Sequence, residues 1–286
     1  MKQIGIVAAL HKSGIDGVLR RVVDCLAGWG INVFLAHSCA ELLGDREGYD
    51  LEQLADVDCV VALGGDGSVL SAARVTAARG TPILGVRIGG LGFLSEVDEG
   101  HVEAALAKVR DGDYTLESRA MLAARVLAEG DLAWEAEGLN DAALLRTPPS
   151  PLAVLHIEVS GQLACEYPAD GVIVATPTGS SAYSLAAGGP VVHPQVPAFI
   201  VTPVCPHTSA ARPFLVADSE EVVISLRPGL KTDLEVELVV DGQLRYGLGH
   251  RDKVCVARSD KSANLVRLGG QPFFERMRQK LSWGER

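Results

Sequence analysis

An α/β domain on a parallel sheet, followed by an all-β domain, is the architecture expected of this chain. Three observations predict it. Up to about residue 118, short apolar runs alternate with stretches of helical periodicity, the pattern of βαβ crossovers. From about Ser118 the texture changes to short β-leaning segments separated by turn residues, the spacing of a β-sandwich. The length, 286 residues, gives room for two ordinary domains.

Each element follows from local pattern. Residues 3–9 form a strand, and residues 14–27 a helix with Ile15, Val18, Leu19, Val22 and Leu26 along one face. Residues 32–36 make a second strand. Residues 58–63 make a third, almost entirely apolar, as a strand covered on both faces must be. A helix at 69–78, a strand at 82–86 and a helix at 101–109 complete the first domain, residues 1–118. In the second, residues 119–267, strands are expected at 121–128, 132–137, 153–159, 171–174, 199–202, 222–226, 234–240 and 253–256. A short helix at 180–187 interrupts them. A last helix is expected at 271–282.

Composition narrows the function classes. The chain is 48% apolar, yet has no uninterrupted apolar run of about 18 residues, so no membrane span is expected. The apolar N-terminus resembles a signal peptide only superficially. Gly5, the early His11-Lys12 pair and the lack of a small-residue cleavage site argue for a first core strand, and with it a cytoplasmic protein. A net charge of −10 disfavours a nucleic-acid partner. Six cysteines, none in a CxxC pair, are expected as buried reduced thiols.

Five segments are candidates for chemistry. Gly64-Gly65-Asp66-Gly67-Ser68 follows an apolar strand and opens a helix, the layout that holds phosphate on helix N–H groups. A carboxylate at its centre is out of place for phosphate alone. Asp66 either caps the helix or faces a ligand hydroxyl while neighbouring N–H groups face phosphates. Leu139-Asn140-Asp141-Ala142 is a turn between strands, or an amide beside a carboxylate fit for a ribose diol. In the third segment a strand after Asp170-Gly171 runs into Thr176-Pro177-Thr178-Gly179-Ser180-Ser181-Ala182-Tyr183-Ser184. Hydroxyls, free amides and a ring suited to stacking converge there. Fourth and fifth, His207 and Asp241-Gly242-Gln243 are more simply a structural histidine and a hairpin turn. P-loop, GxGxxG, HExxH and GxSxG signatures are absent.

Taken together, these segments resemble the NAD kinase family, dependent on ATP or polyphosphate. The resemblance rests on Gly64 to Ser68, Gly89-Gly90-Leu91-Gly92-Phe93-Leu94, Asn140-Asp141, Asp170-Gly171 with Thr176 to Ser184, Thr202-Pro203-Val204-Cys205-Pro206-His207, and Asp241-Gly242-Gln243. They occur in the family's order. Asp141 stands where the family usually has Glu, and Ser68 where it usually has Thr.

The resemblance implies an NAD kinase-like two-domain fold with NAD bound between the domains, a C-terminal segment at 268–286 packed back on the first domain, and a homodimer or homotetramer. It implies transfer of the γ-phosphoryl of ATP, or of a polyphosphate phosphoryl, to the 2′-hydroxyl of the adenosine ribose of NAD. Asp66 would bind that hydroxyl as the catalytic residue. Gly64, Gly65, Gly67 and Ser68 would form the phosphate loop. Asp66, Gly67, Asn140, Asp141, Asp170, Ser181, Ala182, Tyr183, Ser184, Leu185, Ala186 and Gln243 would hold NAD. Mg²⁺ or another divalent metal would arrive on the donor phosphates, with no dedicated protein site. The alternatives are a GGDG-type lipid kinase and a non-catalytic NAD-binding sensor.

Overall fold

Strand and helix alternate in the first unit as the apolar pattern requires. β1 (Gln3–Ala8), α1 (Ile15–Gly28), β2 (Asn32–Ala36), α2 (His37–Leu43), β3 (Gly48–Tyr49), β4 (Cys59–Gly64), α3 (Asp66–Thr76), β5 (Ile83–Arg87), β6 (Val97–Asp98) and α4 (Val102–Asp111) follow in order. The structure, a computed structural model, describes residues 1–44, 46–147, 151–227 and 235–282. It divides into two compact units, one of Met1–Arg119 with the chain from Lys261 onward, the other of Ala120–Asp260.

The first sheet runs β3-β2-β1-β4-β5, parallel throughout, with β6 parallel on β5. Every residue of β4 is buried, because β1 and β5 flank it and helices cover the sheet. Its carboxyl end is therefore where a crevice for ligands belongs. The helix expected at 69–78 begins earlier, at Asp66. Gly65 takes the extended N-cap, and an acidic residue in the first turn suits the helix dipole.

The second unit is antiparallel. Its elements are β7 (Thr115–Ala128), β8 (Asp131–Gly138), β9 (Asp141–Arg146), β10 (Ala153–Val159), β11 (Gln162–Ala169), β12 (Gly171–Ala175), α5 (Tyr183–Ala186), β13 (Ala198–Val204), β14 (Phe214–Ala217), β15 (Val222–Leu226), β16 (Val236–Val240), β17 (Leu244–Leu248) and β18 (Lys253–Arg267). The first residues of β7 and the last of β18 belong to the first unit. One sheet has the order β14-β13-β12-β9-β16-β17. Alternate residues such as Leu144, Leu155, Val172, Val201, Ile224, Leu238 and Val254 form one buried cluster, as strands of period two dictate.

Several expectations need correction. The strand expected at 253–256 is only the start of β18. The turn expected at 139–142 is a bend at Leu139 and Asn140, after which Asp141 starts β9. The strand expected from Leu234 is described from Val236; Leu234 lies outside the described residues. Residues 180–187 are not one helix. A 3₁₀ turn, Gly179–Ser181, precedes the single turn α5, and Ala182 breaks them with φ −106° and ψ −125°. This segment has a structural reason. β12 is buried on both faces, and its Ile173 and Ala175 pack with Ala143, Ile200 and Val192 while Ala187 lies against them. All six cysteines are free. Only Cys39, Cys59 and Cys255 are buried as expected; Cys25 and Cys165 are half-buried, and Cys205 is exposed in a loop, with φ 45°.

The last helix, α6 (Phe273–Leu281), belongs to the first unit. Arg276 fixes it. Its guanidinium donates to the Phe93 and Ser95 carbonyls at 2.7 and 3.0 Å.

Candidate functional site

At the carboxyl end of β4 the chain turns sharply. Gly64 has φ 146°, and a Cβ there would press on Ala9 and the Ser68 hydroxyl. Asp66 then starts α3. Its carboxylate is held on both oxygens. Oδ2 accepts the Phe93 N–H and Oδ1 the Leu94 N–H, each at 2.9 Å, and Lys280 Nζ lies 3.3 Å from Oδ2. Gly92 makes this possible, since a Cβ at that position would collide with Asp66 Oδ1. The glycine-rich segment at 89–94 is thus the frame of Asp66. The aspartate is not merely a helix cap, because both its oxygens are bound across the turn rather than to its own helix. Its side chain keeps 26% exposure, enough to meet a ligand.

Around it, space is open beside Gly65, Gly67, Gly89 and Gly90. Ser68 is different. Its hydroxyl donates to the Leu63 carbonyl at 3.1 Å, so it turns back into the strand end.

The second unit brings Asn140, Asp141, Ala182 and Tyr183 together. With Asp241, Gly242, Arg245, Glu237 and apolar neighbours they line a pocket of about 370 Å³. That is within the range of small-ligand sites. Tyr183 is 39% exposed, a ring available for stacking. Asp241 builds this wall. Its carboxylate accepts the N–H groups of Leu139, Asn140 and Asp141 at 2.8, 2.7 and 3.1 Å. Its own N–H donates to the Asp141 carbonyl at 2.9 Å. The hairpin turn expected at 241–242 is present between β16 and β17, with Asp241 at φ 52° and Gly242 at φ 68°. Gly179 packs so tightly that a Cβ would strike the Asn140 carbonyl.

The other site residues named from the sequence stand apart from this pocket. Asp170 accepts a 2.6 Å bond from Arg146 Nε. Ser184 is fully buried and shares a 2.9 Å hydrogen bond with Thr202. The Ser181 hydroxyl donates to the Thr178 carbonyl. Leu185 is half-buried in α5, Ala186 is exposed, and Gln243 is exposed in the hairpin turn.

Asp141 is only 5% exposed, and burial together with the Asp241 charge pushes its carboxyl up to about 7. The sign of the linkage follows. The native state keeps a proton that the unfolded chain gives up near the ordinary value of about 4, so this group makes stability fall as pH rises from about 4 to about 7. Asp141→Asn cannot titrate. Measured by urea midpoints from pH 4 to 8, the variant should gain on the natural chain up to about pH 7 and run parallel above it. A constant difference across that range would contradict the assignment.

Sequence reasoning missed Lys280, Arg245, Glu237 and the role of Asp241. The DG turn and the lysine in a basic, amphipathic last helix were visible, but nothing local said what they face.

The whole chain matches known proteins. Residues 4–114 match the ATP-NAD kinase N-terminal domain, and residues 139–268 the ATP-NAD kinase C-terminal domain. The chain is similar to an NAD kinase of Syntrophotalea carbinolica, 38% identical over 288 residues and 100% of both chains. It is similar to an NAD kinase of Carboxydothermus hydrogenoformans, 41% identical over 80% of this chain and 81% of that one. Among solved structures, yeast NADH kinase complexed with NADH has the same fold, with a TM-score of 0.93 at 24% identity over 100% of this chain and 89% of that one. With domain matches in both units and relatives aligned end to end, the chain belongs to the NAD kinase family.

Proposed function

We propose that this enzyme phosphorylates NAD on the 2′-hydroxyl of its adenosine ribose, with ATP or polyphosphate as donor, and that Asp66 receives the hydroxyl. The observation that carries the role of Asp66 is its frame: a carboxylate at the start of α3, bound by the Phe93 and Leu94 N–H groups and still part exposed. A carboxylate has about four lone-pair positions. Among the described residues three donors meet it, and the acceptor hydroxyl would take a fourth position. The 2′ oxygen bonds to the γ-phosphorus, the bond from that phosphorus to its bridging oxygen breaks, and the bonding pair leaves on ADP. The hydroxyl proton passes to Asp66. An ordinary carboxylate is a weak base, but phosphoryl transfer asks more for orientation than for early deprotonation.

NAD itself belongs, on this reading, to Asn140, Asp141, Ala182 and Tyr183, with Gly67, Asp170, Ser181, Ser184, Leu185, Ala186 and Gln243 supporting through the backbone or at a further part of the ligand. The pocket under Asp241 supports the first four. Gly64, Gly65 and Gly67 would admit donor phosphates to the start of α3. Among the described residues no cluster of three or more His, Cys, Asp or Glu side chains is arranged to hold a metal. A divalent ion, Mg²⁺ or another, would arrive on the donor phosphates and keep most of its own shell. Bound there, it would neutralise developing phosphate charge. A homodimer or homotetramer and a cytoplasmic setting complete the proposal.

The test is direct. The protein incubated with NAD, ATP and Mg²⁺ should form NADP carrying its new phosphate on the 2′ oxygen, detected by ³¹P NMR. Tight NAD binding without any NADP, with ATP or with polyphosphate, would leave only a dinucleotide sensor.

A further inference from the structure

The C-terminal helix delivers a cation to the site. Lys280 Nζ lies 3.3 Å from Asp66 Oδ2 and 4.4 Å from the centre of the Phe93 ring. The N–H of that same Phe93 binds the same carboxylate oxygen. One loop residue therefore supports the ammonium with its ring and the carboxylate with its backbone. The lysine's helix is anchored. One turn before it, Arg276 donates to the Phe93 and Ser95 carbonyls and lies beside the buried Glu96 carboxylate, so helix and loop form a single piece. The Lys280 side chain is 30% exposed and that of Asp66 26%. An ion pair this open adds little to stability. Its placement is better explained by what the carboxylate must do.

A phosphoryl donor is anionic, and Asp66 is an anion that has to approach the same hydroxyl. A cation paired with the carboxylate offsets that repulsion. It also prevents the side chain from swinging away from the turn. We propose that Lys280 is a positioning residue for phosphoryl transfer, acting through Asp66 rather than on NAD. This rests on the reading of Asp66 given above. Lys280 exchanges no proton in the step: the hydroxyl proton still goes to Asp66 and the leaving electron pair to ADP.

Steady-state kinetics of the full-length enzyme test it, with NAD and ATP varied in turn. Lys280→Met should lower kcat by about tenfold or more while KM for NAD stays within about twofold, because the lysine touches the reacting geometry and not the dinucleotide. Lys280→Arg, which keeps the charge, should recover most of the loss. In an Asp66→Asn background, Lys280→Met should add no more than about a further twofold, since the group it acts through is gone. Independent, multiplying losses in that cycle would overturn the proposal, as would a normal kcat for Lys280→Met or an arginine variant as slow as the methionine one. A slow Asp66→Asn enzyme beside a normal Lys280→Met enzyme removes Lys280 and leaves Asp66 in place. A fast Asp66→Asn enzyme removes the reading of Asp66 itself.

Discussion

Asp66→Asn should lower turnover about a hundredfold or more, with NAD binding close to that of the natural enzyme. The change is small in shape. It replaces one carboxylate oxygen by an amide nitrogen and abolishes the charge. Both oxygens now accept backbone N–H groups, from Phe93 and Leu94. In the variant one of those donors would face an NH₂ group, a mismatch of the kind that costs about 1–3 kcal/mol when buried. The site is part exposed, so water would relieve some of it. The pocket proposed for the dinucleotide, in the second unit, contains no part of this frame. Binding, read by calorimetry with NAD alone, should therefore survive while turnover collapses. Near-normal turnover from a folded Asp66→Asn protein would remove the residue from the chemistry.

The second large effect is on stability. Glu96 is almost fully buried, with its side chain 1% exposed. Oε2 meets Arg267 Nη1 at 2.9 Å and Arg276 Nη2 at 3.5 Å, and Oε1 accepts the Leu268 and Gly270 N–H groups at 2.9 and 3.0 Å. Removing one partner of a buried pair leaves charge without compensation, which typically destabilises by about 3–5 kcal/mol. Glu96→Ala should fall in that range, measured by urea denaturation. Arg267 still has Glu117 at 2.6 Å, and Arg276 still has two loop carbonyls, so the lower end is expected. A loss below about 1 kcal/mol would show that water or a rearranged Glu117 replaces Glu96. The same change should loosen the 93–96 loop, and with it the frame of Asp66.

The fold was largely legible because its signals are local. The apolar run before Gly64 marks a doubly covered strand, and β4 is buried throughout. The spacing of Ile15, Val18, Leu19, Val22 and Leu26 marks α1, and all five are buried. What failed were elements whose pattern is short or supported from elsewhere. β9 was hidden because Asn140 and Asp141 look like a turn. Their N–H groups are held by Asp241, about a hundred residues away, and Asp141 starts the strand. The segment at 180–187 has helical composition, yet Ala182 breaks it so that it can cover the outer face of β12.

The site divides in the same way. GGDG and the glycines at 89–94 are visible in sequence, but not that one frames the other: Phe93 and Leu94 contribute only backbone N–H groups, which any residue could supply. The hydroxyls at 176–184 looked like ligand groups. Those of Ser184 and Thr176 prove to be internal, bonded to Thr202 and to the Leu139 carbonyl. Small hydroxyl residues serve tight packing and ligand binding equally well, and a linear pattern does not separate the two.

The role of Asp66 is tested most directly by a crystal structure of the protein with NAD bound. An Asp66 carboxylate oxygen should lie about 2.6–3.2 Å from the adenosine 2′ oxygen, with the Phe93 and Leu94 N–H bonds retained. A ribose lodged elsewhere, with Asp66 still closed on its own loop, would contradict it.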